Sequence, residues 1–450
     1  MGKDPQVLWV RGSDGMEALV THDVAAAAVL GAAKSRAILR MPREMIHGVG
    51  ACESLPGVVA SLGRRPFVLL DEAILVNPDV ARALDGLRAK EFTIAISTDI
   101  EPELPRGCID RVVVEARRHD PDVIIGIGGG STIDLAKIVS VLIIEGRDLS
   151  EFYGENMVPR SRVPVVAVPT TAGTGSEVTP VAVVSEPDRE LKIGVSSPYL
   201  VPEVAVVDPR LTYTCPATLT AHSGIDAFCH AVESMTSRGR EVPFDHPLPV
   251  FAGPDDLSAL NAAAAVELIF GNLGRVVEDG SDETSRQAMS LGSTLAGMAF
   301  ATGGTHLGHA IQYPVGALTK TPHGLGVGLL LPYVMEACLP FARPALQRVA
   351  LAMHSSLEGP VIRDGETGNG HGDRDIQWAL RAVVELRRRI GIPHTLSDIG
   401  VSQFDLARLV ELSLTVRRLV DNAPGENAGE REEMVEQVVL RSFSGESEIF

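Results

Sequence analysis

The sequence predicts an α/β domain built on a parallel sheet, followed by an all-α domain. In the first half, short apolar runs rich in β-branched residues alternate with helical patterns, which is typical of a parallel sheet covered by helices. Beyond about Pro216, long stretches rich in Ala, Leu and Glu dominate without a comparable series of strands. The chain of 450 residues is also longer than the roughly 250–300 residues at which a single core stops growing.

The individual elements follow from these patterns. The predicted strands are bounded by Gly, Pro or Asp and comprise Phe67–Leu70, Val123–Ile127, Val163–Val168 and Val204–Val207. The predicted helices include Ile109–Arg118, Thr132–Ile144, Leu257–Val277, Thr284–Ala301, Asp375–Arg389 and Gln403–Val420. The Pro-rich stretch Arg238–Pro254 is predicted as an irregular surface excursion, and the Gly-rich stretch Glu358–Asp373 as a mobile loop. We therefore expect an N-terminal arm over residues 1–36, the α/β domain over 37–214 and the helical domain over 215–450.

The composition is that of an ordinary soluble globular protein. Lys and Arg total 40 against 58 Asp and Glu, so the formal net charge of −18 argues against nucleic acid or an anionic membrane as the main partner. The five cysteines are scattered and form no CxxC pair, which favours a reducing compartment over a disulfide framework. No sustained apolar stretch follows a basic start, so we expect no secretory signal and a cytoplasmic location.

A glycine-rich turn follows the predicted strand Val123–Ile127. Three consecutive glycines, Gly128–Gly130, precede Ser131 and a helical pattern. Glycines let the backbone approach a pyrophosphate closely, and the free N–H groups of a helix start favour an anion. The spacing is not the GxGxxG of the usual dinucleotide-binding turn. A plain strand-to-helix turn with Ser131 as helix N-cap therefore explains this motif equally well.

A second polar loop follows the predicted strand Val163–Val168. The loop PTTAGTGSE carries hydroxyl groups at Thr170, Thr171, Thr174 and Ser176. Two such loops at the carboxyl ends of strands are typical of the ligand crevice of an open α/β sheet. Asp71 directly follows Phe67–Leu70, where a carboxylate could bind the ribose 2′-OH of NAD and repel the 2′-phosphate of NADP. A helix N-cap explains Asp71 equally well.

Four residues of the second half offer metal ligands. Asp226 and His230 are four residues apart, which places both on one helix face, although a hydrogen-bonded pair explains them equally well. His309 and His323 lie in apolar, Gly-rich surroundings, and each helix of a helical domain can supply one ligand to a shared site. Three imidazoles and one carboxylate suit Fe²⁺ or Zn²⁺ rather than Mg²⁺ or Ca²⁺.

Two further histidines have less specific surroundings. We interpret His306 as a buried imidazole that a backbone carbonyl satisfies. His222 precedes Asp226 by four residues. It is interpreted either as a neighbour of the metal ligands or as a helix-start residue.

Four motifs, in this order, resemble the iron-containing (group III) alcohol dehydrogenases. They are GGGSTID, PTTAGTGSE, SGIDAFCHAVES and GHAIQYPVGA with TPHGLGVGLLLP, and the similarity extends from about Arg40 to the C-terminus. The resemblance implies a Rossmann-like dinucleotide-binding domain, a helical metal-binding domain and an active site in the cleft between them. The metal ligands that it implies are Asp226, His230, His309 and His323. The cofactor contacts that it implies are Asp71, Gly128, Gly129, Gly130, Ser131, Asp134, Thr170, Thr171, Thr174, Ser176 and Lys192.

The activity that the resemblance implies is hydride transfer between a nicotinamide and a small alcohol, aldehyde or hydroxyacid at an Fe²⁺ or Zn²⁺ ion. The chain would then be an NAD(P)-dependent alcohol dehydrogenase or aldehyde reductase, with NAD favoured over NADP by Asp71. The family also implies a homodimer or a larger homo-oligomer. Phe300 and Tyr313 are candidates for the pocket wall nearest the nicotinamide, although core packing explains Phe300 equally well.

The sequence departs from the family pattern at Tyr313, where many members carry a further histidine. A tyrosine can still relay a proton, but its ordinary pKa of about 10 makes it a poorer shuttle at neutral pH. HLGHAIQYP, SGIDAFCHAVES and the excursion Arg238–Pro254 are similar to the hydroxyacid–oxoacid transhydrogenase branch, whose tightly held NAD(H) shuttles hydride between two substrates. The long insert of that branch between its YP and PHG motifs is absent here.

Two other functions compete with these. A polyol-phosphate dehydrogenase or cyclase would need a basic cluster for the substrate phosphate, and the sequence shows none around the ligands. The remaining alternative is a catalytically silent nucleotide-binding protein, which would hold nucleotide without turnover.

Overall fold

The chain folds around a six-stranded parallel sheet, which a helical region follows. The computed structural model describes residues 8–12, 15–19, 37–186, 192–242, 247–357 and 370–450. The strands of the large sheet are β3 (Glu44–His47), β4 (Pro66–Leu70), β5 (Ala95–Ser97), β6 (Val123–Gly128), β8 (Val165–Pro169) and β11 (Val204–Val207). Their spatial order is β3-β11-β8-β6-β4-β5, and every neighbouring pair is parallel.

Two smaller β units accompany this sheet. The strands β1 (Leu8–Gly12) and β2 (Gly15–Leu19) form an antiparallel hairpin. The strand β10 (Lys192–Ser196) pairs in parallel with β7 (Gly154–Glu155) and antiparallel with β9 (Val181–Ser185). The polar loop that follows β8 therefore connects the large sheet with this three-stranded one.

Helices cover both faces of the large sheet because its central strands are apolar on both sides. Every residue of β4, β6 and β8 is buried. The covering helices are α1 (Leu55–Leu62), α2 (Pro78–Arg88), α3 (Arg106–His119) and α4 (Gly130–Leu142). Phe67 and Ile124 pack against α3 and α4, whereas their chain neighbours Val68 and Ile125 pack against α1 and α2. This alternation follows from the two-residue period of a strand.

Nine α-helices follow the sheet within the described residues. They are α5 (Ala217–Thr236), α6 (Asp256–Glu278), α7 (Glu283–Gly303), α8 (Leu307–Thr319), α9 (His323–Ser355), α10 (Gly370–Arg389), α11 (Leu406–Thr415), α12 (Arg417–Val420) and α13 (Ala428–Ser444). Their apolar faces form one continuous core. The helix α9 leaves helical geometry at Ala342, between Pro340 and Pro344, because proline removes an N–H and clashes with the preceding turn.

Two of these helices, α6 and α9, are long and apolar enough to span a membrane by composition alone. The most apolar window of α9 is 72% buried and that of α6 is 44% buried. Val266 of α6 and Leu330 of α9 are fully buried members of the helical core. Packing inside the protein therefore accounts for the apolar composition of both helices.

The predicted fold class is confirmed, and the strand boundaries shift by only a few residues. The strand predicted from Val163 begins at Val165, after Pro164, which has no N–H to donate to a ladder. The described part of the predicted excursion Arg238–Pro254 contains no helix or strand. The predicted arm over residues 1–36 lies outside the described residues except for β1 and β2, and the domain boundaries stay predictions.

One predicted helix and one predicted loop need correction. The helix predicted over Gln403–Val420 is two helices, α11 and α12, because Val416 leaves the helical conformation (φ −80°, ψ 57°). Residues 358–369 of the predicted mobile loop lie outside the described residues, and the chain is already helical from Gly370. The Gly-rich composition predicts a loop as far as Asp373, but the helix α10 already begins at Gly370.

Two glycines bring the polar loop after β8 against the helical region. Gly175 has a left-handed conformation (φ +61°), and a Cβ on it would lie 2.5 Å from the Cα of Gly297 in α7. A Cβ on Gly297 would lie 2.8 Å from the Cα of Gly175. Because the obstructing atoms belong to the backbone, they cannot move aside without displacing the loop or the helix.

The replacement Gly297→Ala is therefore expected to destabilise the protein by about 1–3 kcal/mol, as overpacking of a tight contact does. The measurement is the shift in thermal unfolding by calorimetry. Gly57→Ala in α1 is the matched control, because a Cβ there meets no atom within 4 Å and alanine favours a helix. Equal unfolding temperatures for Gly297→Ala and the wild type would contradict the close approach.

Candidate active site

A cavity of about 460 Å³ lies between the large sheet and the helical region. Its sheet side is formed by the ends of β4, β6 and β8, with Asp71, Gly129 and Thr171. Its helical side is formed by α5, α8 and the start of α9, with Asp226 and His309. The ligand crevice of an open α/β sheet is expected at this carboxyl edge of the strands.

The glycine motif forms the start of α4 at the wall of the cavity. Gly129 is the N-cap, and no side chain caps the helix, so the predicted N-cap role of Ser131 is wrong. The first amides of α4 are therefore open to an anion. A Cβ on Gly130 would lie 2.6 Å from the Cγ2 of Thr174, so this helix start and the second polar loop touch. Together they form a cradle that a larger side chain would fill.

Only some of the hydroxyl-bearing residues of the second polar loop line the cavity. Thr171, Thr174 and Ser176 line it. Thr170 is buried, lies outside the lining, and donates its backbone N–H to the carbonyl of Gly128 at 3.0 Å. Gly128 likewise ends its strand behind the cavity wall. These two residues position the loops, whereas the other predicted residues of the two loops reach the cavity.

A buried charge network ties the two loops together behind the cavity. The Nζ of Lys137, a fully buried residue, donates to the Oγ of Ser176 and to the carbonyl of Val181, both at 2.8 Å. It also lies 3.6 Å from the Oδ1 of Asp134. Asp134 accepts hydrogen bonds from Ser176 and from the N–H of Val183. The side chains of Asp134 and Ser176 are thus engaged with each other and with Lys137.

Asp71 caps a helical turn, as one of its two sequence interpretations predicts, and it also lines the cavity. Its Oδ1 accepts a hydrogen bond from the N–H of Ala73 at 3.0 Å, so it caps a short 3₁₀ turn (Glu72–Ile74). The same residue lines the cavity at the end of β4. A capping carboxylate has further acceptor positions, so the cap leaves room for a ligand.

Three imidazoles surround one carboxylate oxygen on the helical side of the cavity. The Nε2 atoms of His309, His230 and His323 lie 3.6, 3.7 and 3.8 Å from the Oδ1 of Asp226. Asp226, His309 and His323 each have a ligand atom within 4.8 Å of those of the other two. His230 is not part of that mutually close set, and its ring stacks on His309 at a centroid distance of 4.8 Å.

This donor set fits a divalent transition metal. Four ligands at about 2.0–2.2 Å from a tetrahedral ion lie about 3.3–3.6 Å apart, close to the distances between the carboxylate oxygen and the imidazole nitrogens. The Oδ1 of Asp226 and the Nε2 of His309 are buried and have no hydrogen-bond partner among the described residues. Buried polar atoms without partners are costly, so an ion between them accounts for their arrangement.

The protonation states of three of the four groups also suit a metal. The exception is His309: burial opposes its charge, but Glu233 and Asp226 raise its pKa to about 9, so a binding cation must displace its proton. Burial lowers the pKa of His323 to about 3 and that of His230 to about 4, so both imidazoles are neutral at pH 7. Burial opposes ionisation of Asp226, but the neighbouring imidazoles hold its pKa below the usual range. Two neutral imidazoles and an ionised carboxylate are in the forms that bind a cation.

A carboxylate that the sequence analysis missed supports this cluster from behind. Glu233 is 1% exposed. Its oxygens accept hydrogen bonds from the N–H groups of His306 and Gly308 at 2.7 Å, and one lies 2.8 Å from the Nδ1 of His309. Burial opposes its ionisation, but His306 and His309 lower its pKa to about 2. A carboxylate on the far nitrogen orients an imidazole and directs its other nitrogen forward.

The remaining predicted residues occupy distinct positions. The Nε2 of His306 pairs with the hydroxyl of Thr236 at 2.8 Å, so the predicted carbonyl partner of His306 is wrong. His222, Phe300 and Tyr313 line the cavity. Lys192 lines it too and forms an ion pair with Glu103. Burial lowers the pKa of Lys192 to about 8.

Three residues of this site were absent from the sequence analysis: Lys137, Glu233 and Arg418. Lys137 follows Asp134 by three residues, and Glu233 follows Asp226 by seven, so both share a helix face with a predicted residue. Helical spacing could have indicated these two. Arg418 lies outside every motif, and no sequence signal indicated its place in the cavity.

Comparison with known proteins assigns the chain to a family. Residues 42–209 match "Iron-containing alcohol dehydrogenase", and residues 220–439 match "Fe-containing alcohol dehydrogenase family, C-terminal". Long-chain-alcohol dehydrogenase 1 of Geobacillus thermodenitrificans is 33% identical over 84% of this chain and 90% of its own. 1,3-Propanediol dehydrogenase of Klebsiella pneumoniae is 31% identical over 78% of this chain and 85% of its own.

A solved structure supports the same assignment. Alcohol dehydrogenase from Oenococcus oeni superposes with a TM-score of 0.79 at 27% identity, covering 90% of this chain and all of that one. The resemblance carried by the four motifs is thus confirmed by similarity along both halves of the chain. The chain belongs to the iron-containing alcohol dehydrogenase family and is an oxidoreductase of the alcohol and aldehyde dehydrogenase type.

Proposed function

We propose that the protein is a metal-dependent, NAD-linked alcohol dehydrogenase that interconverts a small alcohol or hydroxyacid with its carbonyl form. One observation carries the proposal: three imidazole nitrogens converge on one carboxylate oxygen in a cavity that also contains the open helix start of the glycine motif. An oxidoreductase of this kind needs a metal ion and a nucleotide cofactor. This cavity offers ligands for the metal ion and helix-start amides for the pyrophosphate of the cofactor.

Asp226, His230, His309 and His323 are the proposed metal ligands, and Fe²⁺ or Zn²⁺ the proposed ion. When bound, the metal supplies Lewis-acid polarisation of the substrate oxygen, and NAD(H) accepts or supplies the hydride. Glu233 holds His309 in the orientation that presents its Nε2 to the cavity. Phe300 closes the site beside the ligands, with its ring 4.3 Å from that of His230, and so helps to exclude water.

The cofactor is proposed to lie along the sheet side of the cavity. The amides near Gly129, Gly130 and Ser131 would bind its pyrophosphate, supported by the N-terminal end of the α4 dipole. Thr171 and Thr174 offer hydroxyls from the adjoining loop. The motifs also predict cofactor contacts at Gly128, Asp134, Thr170, Ser176 and Lys192, which stand as proposals. Of these, Gly128 and Thr170 lie behind the cavity wall and position the loops.

Tyr313 is the group near the metal ligands that we propose to handle a proton. Burial raises the pKa of Tyr313, so its hydroxyl keeps its proton at neutral pH. Its ring centroid lies 6.2 Å from that of His323. The proton-relay role of Tyr313 stays a prediction, which the pH profile of kcat in a Tyr313→Phe variant would test.

We also propose a cytoplasmic enzyme that assembles as a homodimer or larger homo-oligomer, with domains at residues 37–214 and 215–450. All five cysteines are free, which suits a reducing compartment. The long helices of the second part begin at Ala217, close to the proposed boundary. Light scattering of the purified protein measures the assembly state, and a monomer would contradict that part of the proposal.

The function is tested by metal analysis combined with an NADH-oxidation screen over aldehydes, ketoacids and semialdehydes. Purified protein is expected to hold a divalent metal, or to gain activity with Fe²⁺ or Zn²⁺. His309→Ala should lose both metal and activity, because it removes a ligand from the centre of the cluster. A wild-type protein that stays inert with both metals would contradict the proposal, as would an unchanged His309→Ala variant.

The replacement Glu233→Gln is expected to weaken metal affinity by about 10–100-fold. The carboxylate of Glu233 accepts three hydrogen bonds. The NH₂ group of glutamine cannot accept a hydrogen bond, so one of these bonds would be lost and His309 would be held less firmly. The measurement is a competition titration with a metal chelator. Glu267→Gln, on an exposed position of α6, is the matched control, and equal affinities in both variants would refute the orienting role.

The replacement Asp71→Asn tests the choice between NAD and NADP. Asparagine keeps an acceptor for the N–H of Ala73 but removes the charge that would repel a 2′-phosphate. The ratio of kcat/KM for NADPH to that for NADH is expected to rise by about tenfold or more, the equivalent of about 1.4 kcal/mol. Asp85→Asn, on the exposed face of α2, should leave the ratio unchanged. If the ratio were unchanged in Asp71→Asn, Asp71 would not select between the two cofactors.

A further inference from the structure

Among the described residues that line the cavity, one arginine is used neither by the metal cluster nor by the proposed cofactor site. Arg418 belongs to α12, near the C-terminal end of the chain, and lines the cavity together with the proposed metal ligands. Its guanidinium carbon lies 4.8 Å from the ring centroid of Phe251. Phe251 is itself 3% exposed, so the guanidinium is held against a fixed, buried surface.

Within the described residues, Arg418 forms no ion pair with a carboxylate. Its guanidinium contacts the ring of Phe251 instead. Lys192, the other long cationic side chain of the cavity, differs in this respect because it is paired with Glu103. A positive charge that faces a cavity without a counter-ion favours an anionic ligand there.

The small sheet leaves space for the guanidinium. A Cβ on Gly194 of β10 would lie 3.4 Å from Nη2 of Arg418. Gly194 pairs with Val183 of β9, which lines the cavity. Lys192 is two residues from Gly194 and so points to the same face of the strand. The glycine at position 194 therefore leaves space for the guanidinium of Arg418, which a side chain at that position would contact.

Tyr313 lies beside the metal ligands in the same cavity as Arg418. Its ring centroid is 6.2 Å from that of His323, and both Tyr313 and Arg418 line the cavity. A phenol hydroxyl can donate its proton to an anionic ligand. Arg418 and Tyr313 thus offer hydrogen-bond donors in the cavity that the proposed metal ligands also line.

We propose that Arg418, with the hydroxyl of Tyr313, binds the carboxylate of the substrate, so that the enzyme acts on short-chain aldehyde acids and the corresponding hydroxyacids. This inference rests on the proposed function, since it places the reacting carbonyl at the metal ligands. The planar guanidinium matches a carboxylate with two parallel hydrogen bonds. Binding of the carboxylate at Arg418 and of the carbonyl at the metal ligands fixes the orientation of the substrate.

The test compares pairs of aldehydes that differ in charge but not in chain length, with the metal-loaded enzyme and NADH. Succinate semialdehyde is compared with butanal, and glutarate semialdehyde with pentanal. The wild type is expected to favour the anionic member of at least one pair by about 30-fold or more in kcat/KM, the range of a charged hydrogen-bonded contact. Arg418→Ala should remove this preference, because kcat/KM for the anionic aldehyde falls by more than kcat/KM for the neutral one.

Two further variants separate binding from folding. Arg418→Lys keeps the charge but not the two parallel hydrogen bonds, and should retain an intermediate preference. Arg417→Ala is the matched control, because the neighbouring Arg417 is exposed and pairs with Asp421 and Glu432. It should retain the full preference. In parallel, calorimetric titration of the enzyme–NADH complex with the hydroxyacid, a pair that cannot react, should show binding that Arg418→Ala weakens about 30-fold.

Several outcomes would overturn the inference. They are an equal rate for both members of each pair, an Arg418→Ala variant with unchanged preference, and a preference for a sulfonate over a carboxylate of equal length. A change confined to the KM for NADH would assign Arg418 to the cofactor instead. If the wild type reduced none of these aldehydes, the proposed function would lose support, and the calorimetric titration alone would decide whether Arg418 binds a carboxylate.

Discussion

The site depends on the burial of one carboxylate, that of Asp226, among three imidazoles. A buried charge without compensation costs several kcal/mol, and here the nitrogens of His230, His309 and His323 lie 3.6–3.8 Å from one of its oxygens. The cluster brings α5, α8 and the first residue of α9 to one point. The helical region is therefore built around the same atoms that the proposed chemistry uses, and metal binding should be coupled to its stability.

Two buried charges hold the two sides of the cleft in position. On the helical side, Glu233 accepts hydrogen bonds from three donors around His309. On the sheet side, Lys137 binds Ser176 and lies beside Asp134, which locks the glycine motif against the second polar loop. Neither group faces the cavity with a free functional atom, so each acts by positioning its neighbours. The contact between Gly175 and Gly297 then sets how closely the two sides approach.

Much of this arrangement could be predicted from local sequence. The buried strands β4 and β6 are nearly continuous apolar runs, and the spacing of Asp226 and His230 places both on one face of α5. The short strands β5 and β7, of three and two residues, escaped prediction. Hydrogen bonds to neighbouring strands define such elements, rather than the β propensity of their own residues. Arg418 escaped because it approaches the metal ligands only through tertiary packing, more than 90 residues after His323. A residue of this kind has no local signal.

The most direct test of the account is X-ray absorption spectroscopy of the metal-loaded protein, because it reports the ligand atoms without depending on turnover. The account predicts a first shell of three imidazole nitrogens and one carboxylate oxygen at about 2.0–2.2 Å, with any remaining position filled by a light atom from solvent or substrate. Loss of one imidazole contribution in His323→Ala would support the assignment of that ligand. A shell containing sulfur, or one composed mainly of oxygen, would contradict the central claim.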